Sequence, residues 1–248
     1  MKLSACVITL NEAANIERCL KSLSFADEIV VVDSGSADDT VALAKKFTPL
    51  VYHHAWEGFS AQRNYAVDRC THDWVFVLDA DEVVTPECAA EIARIMREGT
   101  GKTWFTIRRR EYHGKRLLRY GACNPSYQIR LFRRSCGRFE GVVHEYPRVT
   151  GEMGTIETPI DHFGVGDTAD LFRKFRRYAH LSAREKFGAG ERHPLFYAPF
   201  SGFAMFLKAY FTRLGMLDGV AGFFRAMGEG YYFYERQAEL YRLWKSKP

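Results

Sequence analysis

Trp74-Val75-Phe76-Val77-Leu78-Asp79-Ala80-Asp81-Glu82 is a wholly apolar run that stops against three carboxylates within four residues. Its apolar part, rich in β-branched and aromatic residues, reads as a strand buried on both faces of a parallel sheet. Acids at such a strand's carboxyl end fall in the crevice where open α/β sheets take their ligands. Packed carboxylates repel one another, and a cation between them relieves that cost. With oxygen ligands alone the cation is Mg²⁺ or Mn²⁺ rather than zinc, and it most often carries a phosphate. The plainer reading is a solvated turn in which the acids act as caps.

Working outward, residues 3–10 read as a first strand, and Asn11-Glu12-Ala13 opens a helix with Ile16, Cys19, Leu20 and Leu23 at helical spacing. Glu28–Asp33 is a second buried strand ending in Asp33-Ser34-Gly35-Ser36, a turn whose Ser36 or Asp38 can cap the next helix, to about Phe47. Leu50-Val51-Tyr52 is a short third strand, Ser60 to Val67 a helix, and Pro86 starts another that runs to about Met96. This alternation means βαβ units, hence an α/β fold with a mostly parallel sheet flanked by helices. After Thr100 the character changes. Thr103–Ile107 and Gln128–Phe132 look like strands joined by a basic, aromatic loop, residues 137–160 favour turns and short strands, and the chain from Ala169 onward reads as helical. The expected division is a catalytic domain over 1–165, with halves 1–100 and 101–165, and a helical extension over 166–248.

Charge follows the same division. Residues 1–101 carry a balance of −7, residues 102–138 of +10 and residues 169–213 of +6, so an acidic crevice lies in the same chain as surfaces that meet anions. The six cysteines show no C-x-x-C pair, which speaks against a zinc finger and for free thiols in a reducing compartment. The amino terminus lacks signal-peptide features, and no apolar run reaches the ~18 residues of a spanning helix. The expected location is the cytoplasm, either free or resting on the cytoplasmic face of the inner membrane.

Four polar sites then fall at the same sheet edge: Thr9-Leu10-Asn11-Glu12, Asp33-Ser34-Gly35-Ser36-Ala37-Asp38, Gln62-Arg63-Asn64 and the D-x-D of Asp79-Ala80-Asp81. In their order and spacing the chain resembles the family 2 glycosyltransferases, inverting enzymes of the GT-A (Rossmann-like) fold that use nucleotide sugars. Arg130-Leu131-Phe132-Arg133, Val143-His144-Glu145 and Leu217-Asp218-Gly219 narrow the resemblance to the branch with the lipopolysaccharide core β-glucosyltransferases.

The resemblance implies a UDP-sugar donor (UDP-glucose for that branch) and a saccharide or glycolipid acceptor such as the lipopolysaccharide inner core. It implies that Thr9, Asn11, Glu12, Asp33, Arg63, Asp79 and Arg130 line the nucleotide-sugar site. Asp33 would accept from the uracil imide, and Thr9 and Glu12 would frame base and ribose. Arg63 would face base or phosphates with its fork of donors, unless it merely forms a helix-surface ion pair. Asp81, with Asp79 partly on the ribose, would hold Mg²⁺ or Mn²⁺ against the leaving diphosphate. His162 is a third metal ligand or an ordinary polar histidine. The catalytic base would be Glu145, although His144-Glu145 stands where the family usually has Glu-Asp, and Glu140 competes for the role.

The basic segment 108–119 either binds an anionic acceptor or is a solvated loop. The helix after Ala169, basic on one face and aromatic on the other, either meets a membrane surface or packs on the protein. Two other readings remain. A transferase charging a polyprenyl phosphate would use the same first hundred residues. A nucleic-acid binder would explain the basic segment but not acids at the strand ends, so no nucleic-acid partner is expected.

Overall fold

Leu3–Thr9 form β1, a strand in which every residue is buried. The reason is visible in its alternation: Leu3, Ala5 and Val7 pack into one apolar cluster, and Cys6 and Ile8 into another on the opposite face. Its neighbours β2 (Glu28–Asp33) and β4 (Trp74–Asp79) divide their side chains the same way, so the sheet centre is apolar on both sides. The computed structural model describes residues 1–121, 126–141 and 146–246, with the side chain of Tyr146 excepted.

One cluster is covered by α1 (Ile16–Lys21) and α4 (Pro86–Glu98), through Ile16, Leu20, Ile92 and Met96. The other is covered by α3 (Phe59–Arg69) through Ala66 and Val67. Helix α4 begins as its sequence dictates, with Thr85 accepting from the Cys88 N–H at 3.2 Å and Pro86 in the first turn. The short helix α2 (Thr40–Ala44) and strand β3 (Val51–His53) complete this part.

The described strands form a nine-stranded sheet in the order β3-β2-β1-β4-β8-β6-β11-β5, with β7 paired to β6. Here β5 is Glu82–Val84, β6 Trp104–His113, β7 Arg116–Leu118, β8 Ser126–Arg133 and β11 Met153–Val165. A separate pair joins β9 (Gly137–Glu140) to β10 (Tyr146–Val149). The α/β class expected from the sequence holds, with the parallel pairing carried by β3, β2, β1 and β4. Strands added after Thr100 enter antiparallel, β8 beside β4 and β6 beside β8. The 13-residue β11 replaces the turns and short strands expected at the end of 137–160. The basic segment is a hairpin of β6 and β7 turning at Gly114 (φ 58°), rather than a loop.

Strands β4 and β5 are separated by two residues in sequence but by three strands in the sheet. Four strand spacings in a flat sheet would span roughly 19 Å, whereas Ala80 and Asp81 bridge at most about 11 Å. The sheet therefore curls until β5 comes back to the end of β4.

Contacts divide the chain into two compact units, Met1–Arg109 with Pro125–His162, and Arg110–Asn124 with Phe163–Pro248. The second unit is mainly helical: α5 (Thr168–Gly188), α6 (Tyr197–Leu207), a π-helical turn at Lys208–Thr212, a 3-10 turn at Gly215–Asp218, and α7 (Gly219–Lys245). The aromatic side of α5 packs on α7, Phe172 against Tyr231 (5.3 Å between ring centroids) and Phe175 against Tyr232 (6.2 Å). Phe172 and Phe175 of α5 are thus engaged by α7, whereas Tyr178 of the same helix stays exposed. Gly228 permits this packing, because a Cβ there would lie 2.5 Å from the Phe175 ring. Helices α6 and α7 meet through Gly202 and Gly230, where a Cβ on either would come within 3 Å of the other's carbonyl oxygen.

Asp218 stands at the start of α7 but does not cap it. Its buried carboxylate instead accepts from the N–H groups of Arg119 (3.0 Å) and Tyr120 (2.9 Å) and ties the segment after β7 to the helices. Asp218→Ala leaves those donors unmatched, and chemical denaturation should show a loss of about 2–3 kcal/mol. A change within a few tenths would mean that water replaces the carboxylate.

Candidate active site

The parallel register decides which side chains meet. Thr9 pairs with Asp33 across β1 and β2, and Ile8 with Asp79 across β1 and β4, so three polar strand ends finish level at one edge. The turns beyond them are tied together. Asn11, in the left-handed region at φ 55°, receives the Ala37 N–H on Oδ1 (2.8 Å) and donates its own N–H to Ser36 Oγ (2.8 Å). The Glu12 N–H reaches Thr40 Oγ1 at 2.8 Å. Asp33 accepts from the N–H groups of Gly35 and Ser36, both at 2.8 Å, and from the Ser36 hydroxyl. A carboxylate offers about four acceptor positions, so Asp33 keeps room for a ligand donor. The Thr9 hydroxyl is buried and has no hydrogen-bond partner among the described residues.

Beside this edge lies a buried ionic cluster. Asp79 is held from two sides, Oδ1 2.6 Å from Arg63 Nη2 and Oδ2 2.9 Å from Arg130 Nη2. Arg130 Nη2 also lies 2.5 Å from Glu82 Oε1, which Arg109 Nη1 approaches at 3.3 Å. The other Glu82 oxygen accepts the Asp79 N–H at 3.1 Å and fixes the turn between β4 and β5. Glu82 is fully buried, and Arg63 and Arg130 are nearly so. Burial alone would raise the Asp79 pKa, but the charges of Arg130 and Arg63 and their hydrogen bonds outweigh it and hold the carboxyl far below the usual range. Arg130 is raised in turn, burial being outweighed by Asp79 and Glu82. Three guanidinium groups, Arg63, Arg109 and Arg130, thus converge on the carboxylates of Asp79 and Glu82.

Asp81 follows in the same turn. Its Oδ2 lies 3.4 Å from His162 Nε2 on β11, which pairs with β5 in the register His162 to Glu82. Thr9, Asn11, Glu12, Asp33, Arg63, Asp79, Asp81, Arg130 and His162 thus all belong to the first unit, at or beside the edge their motifs suggested. No group of three or more metal-ligating side chains occurs among the described residues. Glu145 lies outside them. Glu140 is exposed at the end of β9, its Oε2 3.5 Å from Arg148 Nε.

Glu82 and Arg109, expected only as one of three carboxylates around a cation and as part of the basic segment 108–119, instead pair with each other inside this cluster. A signal for Arg109 exists in strand alternation, since it shares a face of β6 with the buried Ile107, whereas Arg108 and Arg110 point the other way.

The profile described as "Glycosyl transferase family 2" matches residues 4–155, well over half of the chain and all of the edge just described except His162. The chain belongs to glycosyl transferase family 2. As a family 2 glycosyltransferase it is an enzyme. It is similar over nearly its whole length to a lipopolysaccharide core biosynthesis glycosyltransferase, LpsC, of Rhizobium meliloti, with 29% identity over 98% of this chain and 93% of that one. An uncharacterized glycosyltransferase of Rickettsia conorii is 26% identical over 90% of this chain and 83% of its own length. Among solved structures, S. aureus TarS 1-349 in complex with UDP-GlcNAc aligns with a TM-score of 0.50 at 16% identity, covering 98% of this chain and 92% of that one. That likeness is one of fold.

Proposed function

We propose that this family 2 glycosyltransferase is an inverting enzyme that moves a hexose from a UDP-sugar, UDP-glucose first among candidates, to a lipid-linked saccharide of the lipopolysaccharide inner-core class. The observation that carries the reading is the meeting of Thr9, Asp33, Asp79 and Asp81 at one sheet edge, beside the buried guanidinium groups of Arg63 and Arg130. The likeness to LpsC supports the acceptor class, and UDP-GlcNAc in TarS supports the donor class.

In this reading Asp33 accepts from the uracil N–H, and the buried Thr9 hydroxyl, with Glu12, frames the nucleoside. Asn11 holds the two loops that shape this pocket. Arg63 and Arg130 do two things: they lock Asp79 in place and draw the diphosphate toward the edge. The turn also fits a divalent ion. Asp81 Oδ2 and His162 Nε2, 3.4 Å apart, are an oxygen and an imidazole donor close enough to share one Mg²⁺ or Mn²⁺. Asp79, taken up by two guanidinium groups, is the weaker candidate ligand and is better suited to orienting the ribose. A cation bound there supplies Lewis-acid stabilisation to the departing diphosphate.

Deprotonation of the acceptor hydroxyl falls to Glu145. Glu140 is engaged with Arg148, which favours this assignment. Glu145→Gln should leave UDP affinity within about twofold while turnover drops ~10²-fold or more, as loss of a general base does. Unchanged turnover would move the role elsewhere.

The test of the whole reading is Mn²⁺-dependent UDP binding by calorimetry, followed by donor hydrolysis across UDP-glucose, UDP-galactose, UDP-N-acetylglucosamine and GDP-mannose. Affinity for UDP with turnover of one UDP-hexose is the expected result. Absence of any UDP affinity would refute it.

A further inference from the structure

The second unit carries an apolar surface that its own fold leaves uncovered. Along α6, Phe196, Phe200 and Phe203 recur at spacings of four and three residues and are 66%, 70% and 63% exposed. At the π-helical turn, the 3-10 turn and the start of α7, Phe211, Leu217 and Val220 are 51%, 54% and 70% exposed. Phe196, Phe200 and Phe203, on one helix face, together present on the order of 400 Å², within the range of the largest apolar patch of a typical monomer.

Charge says what covers it. Between Arg192 and Gly228 the chain carries four Lys/Arg and a single acid, Asp218, which is buried and accepts backbone N–H groups. Lys208 and Arg213 are exposed within the stretch that bears the patch. A second copy meeting this surface about a two-fold axis would set Lys208 and Arg213 against their own copies, and the stretch itself offers no carboxylate but the buried Asp218 to pair them. An anionic lipid surface matches both features, apolar side chains entering the acyl boundary and cations meeting phosphates. Among the described residues no helix is long and apolar enough to cross a membrane, so the contact lies on the bilayer.

We infer that α6 and the turn into α7 form a lipid-interface surface, with Phe200 and Phe203 as inserting side chains and Lys208 and Arg213 as headgroup contacts. The full chain should co-sediment with vesicles of phosphatidylethanolamine and phosphatidylglycerol, and much less with phosphatidylcholine alone. Phe200→Ser with Phe203→Ser should lower partitioning about 100-fold, roughly tenfold for each exposed aromatic removed. Lys208→Gln with Arg213→Gln should lower it about tenfold or more and remove the preference for the anionic lipid. Because both phenylalanines are exposed, thermal melts of the pair should match wild type. A Phe203→Trp variant gives an independent readout, a fluorescence blue shift on adding anionic vesicles. No co-sedimentation with anionic vesicles, or full binding by the Phe pair variant, would overturn the proposal. So would a dimer in light scattering that the Phe pair disperses in a chain that ignores vesicles. Binding is read without donor or acceptor, so its failure leaves the transferase reading standing.

Discussion

Replacing Asp81 with alanine should lower sugar transfer by about 10³-fold or more and remove the Mn²⁺ dependence of UDP binding. Lewis-acid stabilisation of a leaving diphosphate is worth several kcal/mol, and each 1.4 kcal/mol is roughly a factor of ten in rate. Asp81 faces His162 across 3.4 Å, and its side chain is only partly buried, whereas Asp79 is gripped by Arg63 and Arg130. Its loss should therefore disturb the fold little, and a melting curve near that of wild type is part of the expectation. His162→Ala should act in the same direction but more mildly, since one donor of the pair remains. Transfer by Asp81→Ala that still responds to Mn²⁺ would locate the metal elsewhere.

Arg130→Leu should act on the fold as much as on the reaction. Removing one partner of a buried ion pair costs about 3–5 kcal/mol when the other charge is left uncompensated. The loss here falls toward the lower end, because Arg63 still holds Asp79 and Arg109 still reaches Glu82. Arg130 touches both Asp79 and Glu82, and Glu82 is fully buried. The pH dependence carries a sign. In the wild type the depressed Asp79 pKa gives stability that is present above the unfolded carboxyl value of about 3.9 and is lost only as pH falls toward the folded value. Without Arg130, burial weighs more and the folded variant takes up a proton at higher pH than wild type. Urea titrations should thus show the gap between the two proteins narrowing on acidification. A loss below about 1 kcal/mol at neutral pH would mean that the cluster contributes little to folding.

The parallel strands are legible in sequence because burial on both faces leaves an unbroken apolar run, and their acidic or polar ends mark the edge at which they finish level. Strand β11 is not legible, since its exposed and buried residues mingle with Gly154 and Pro159 and imitate turns. Strand β5 is too short for any period to show. In the site, the motif residues stand out singly, whereas their pairing does not. Nothing near Arg130 says that it faces Asp79, 51 residues earlier, rather than a ligand. The partnership exists only once β8 lies beside β4. Asp218 was legible as a residue but not as a role, because its partners lie 98 and 99 residues back along the chain.

The curl that returns β5 to the end of β4 makes the Asp81 turn a clasp between the two margins of one sheet. Residues 1–100 look like a portable nucleotide module, yet of the two arginines that steady Asp79 only Arg63 lies within them, and Arg130 and the histidine that faces Asp81 arrive with β8 and β11. A chimera that exchanges the first hundred residues alone would inherit the acids with only part of their counterweight, so donor preference should transplant fully only when the antiparallel strands travel with them.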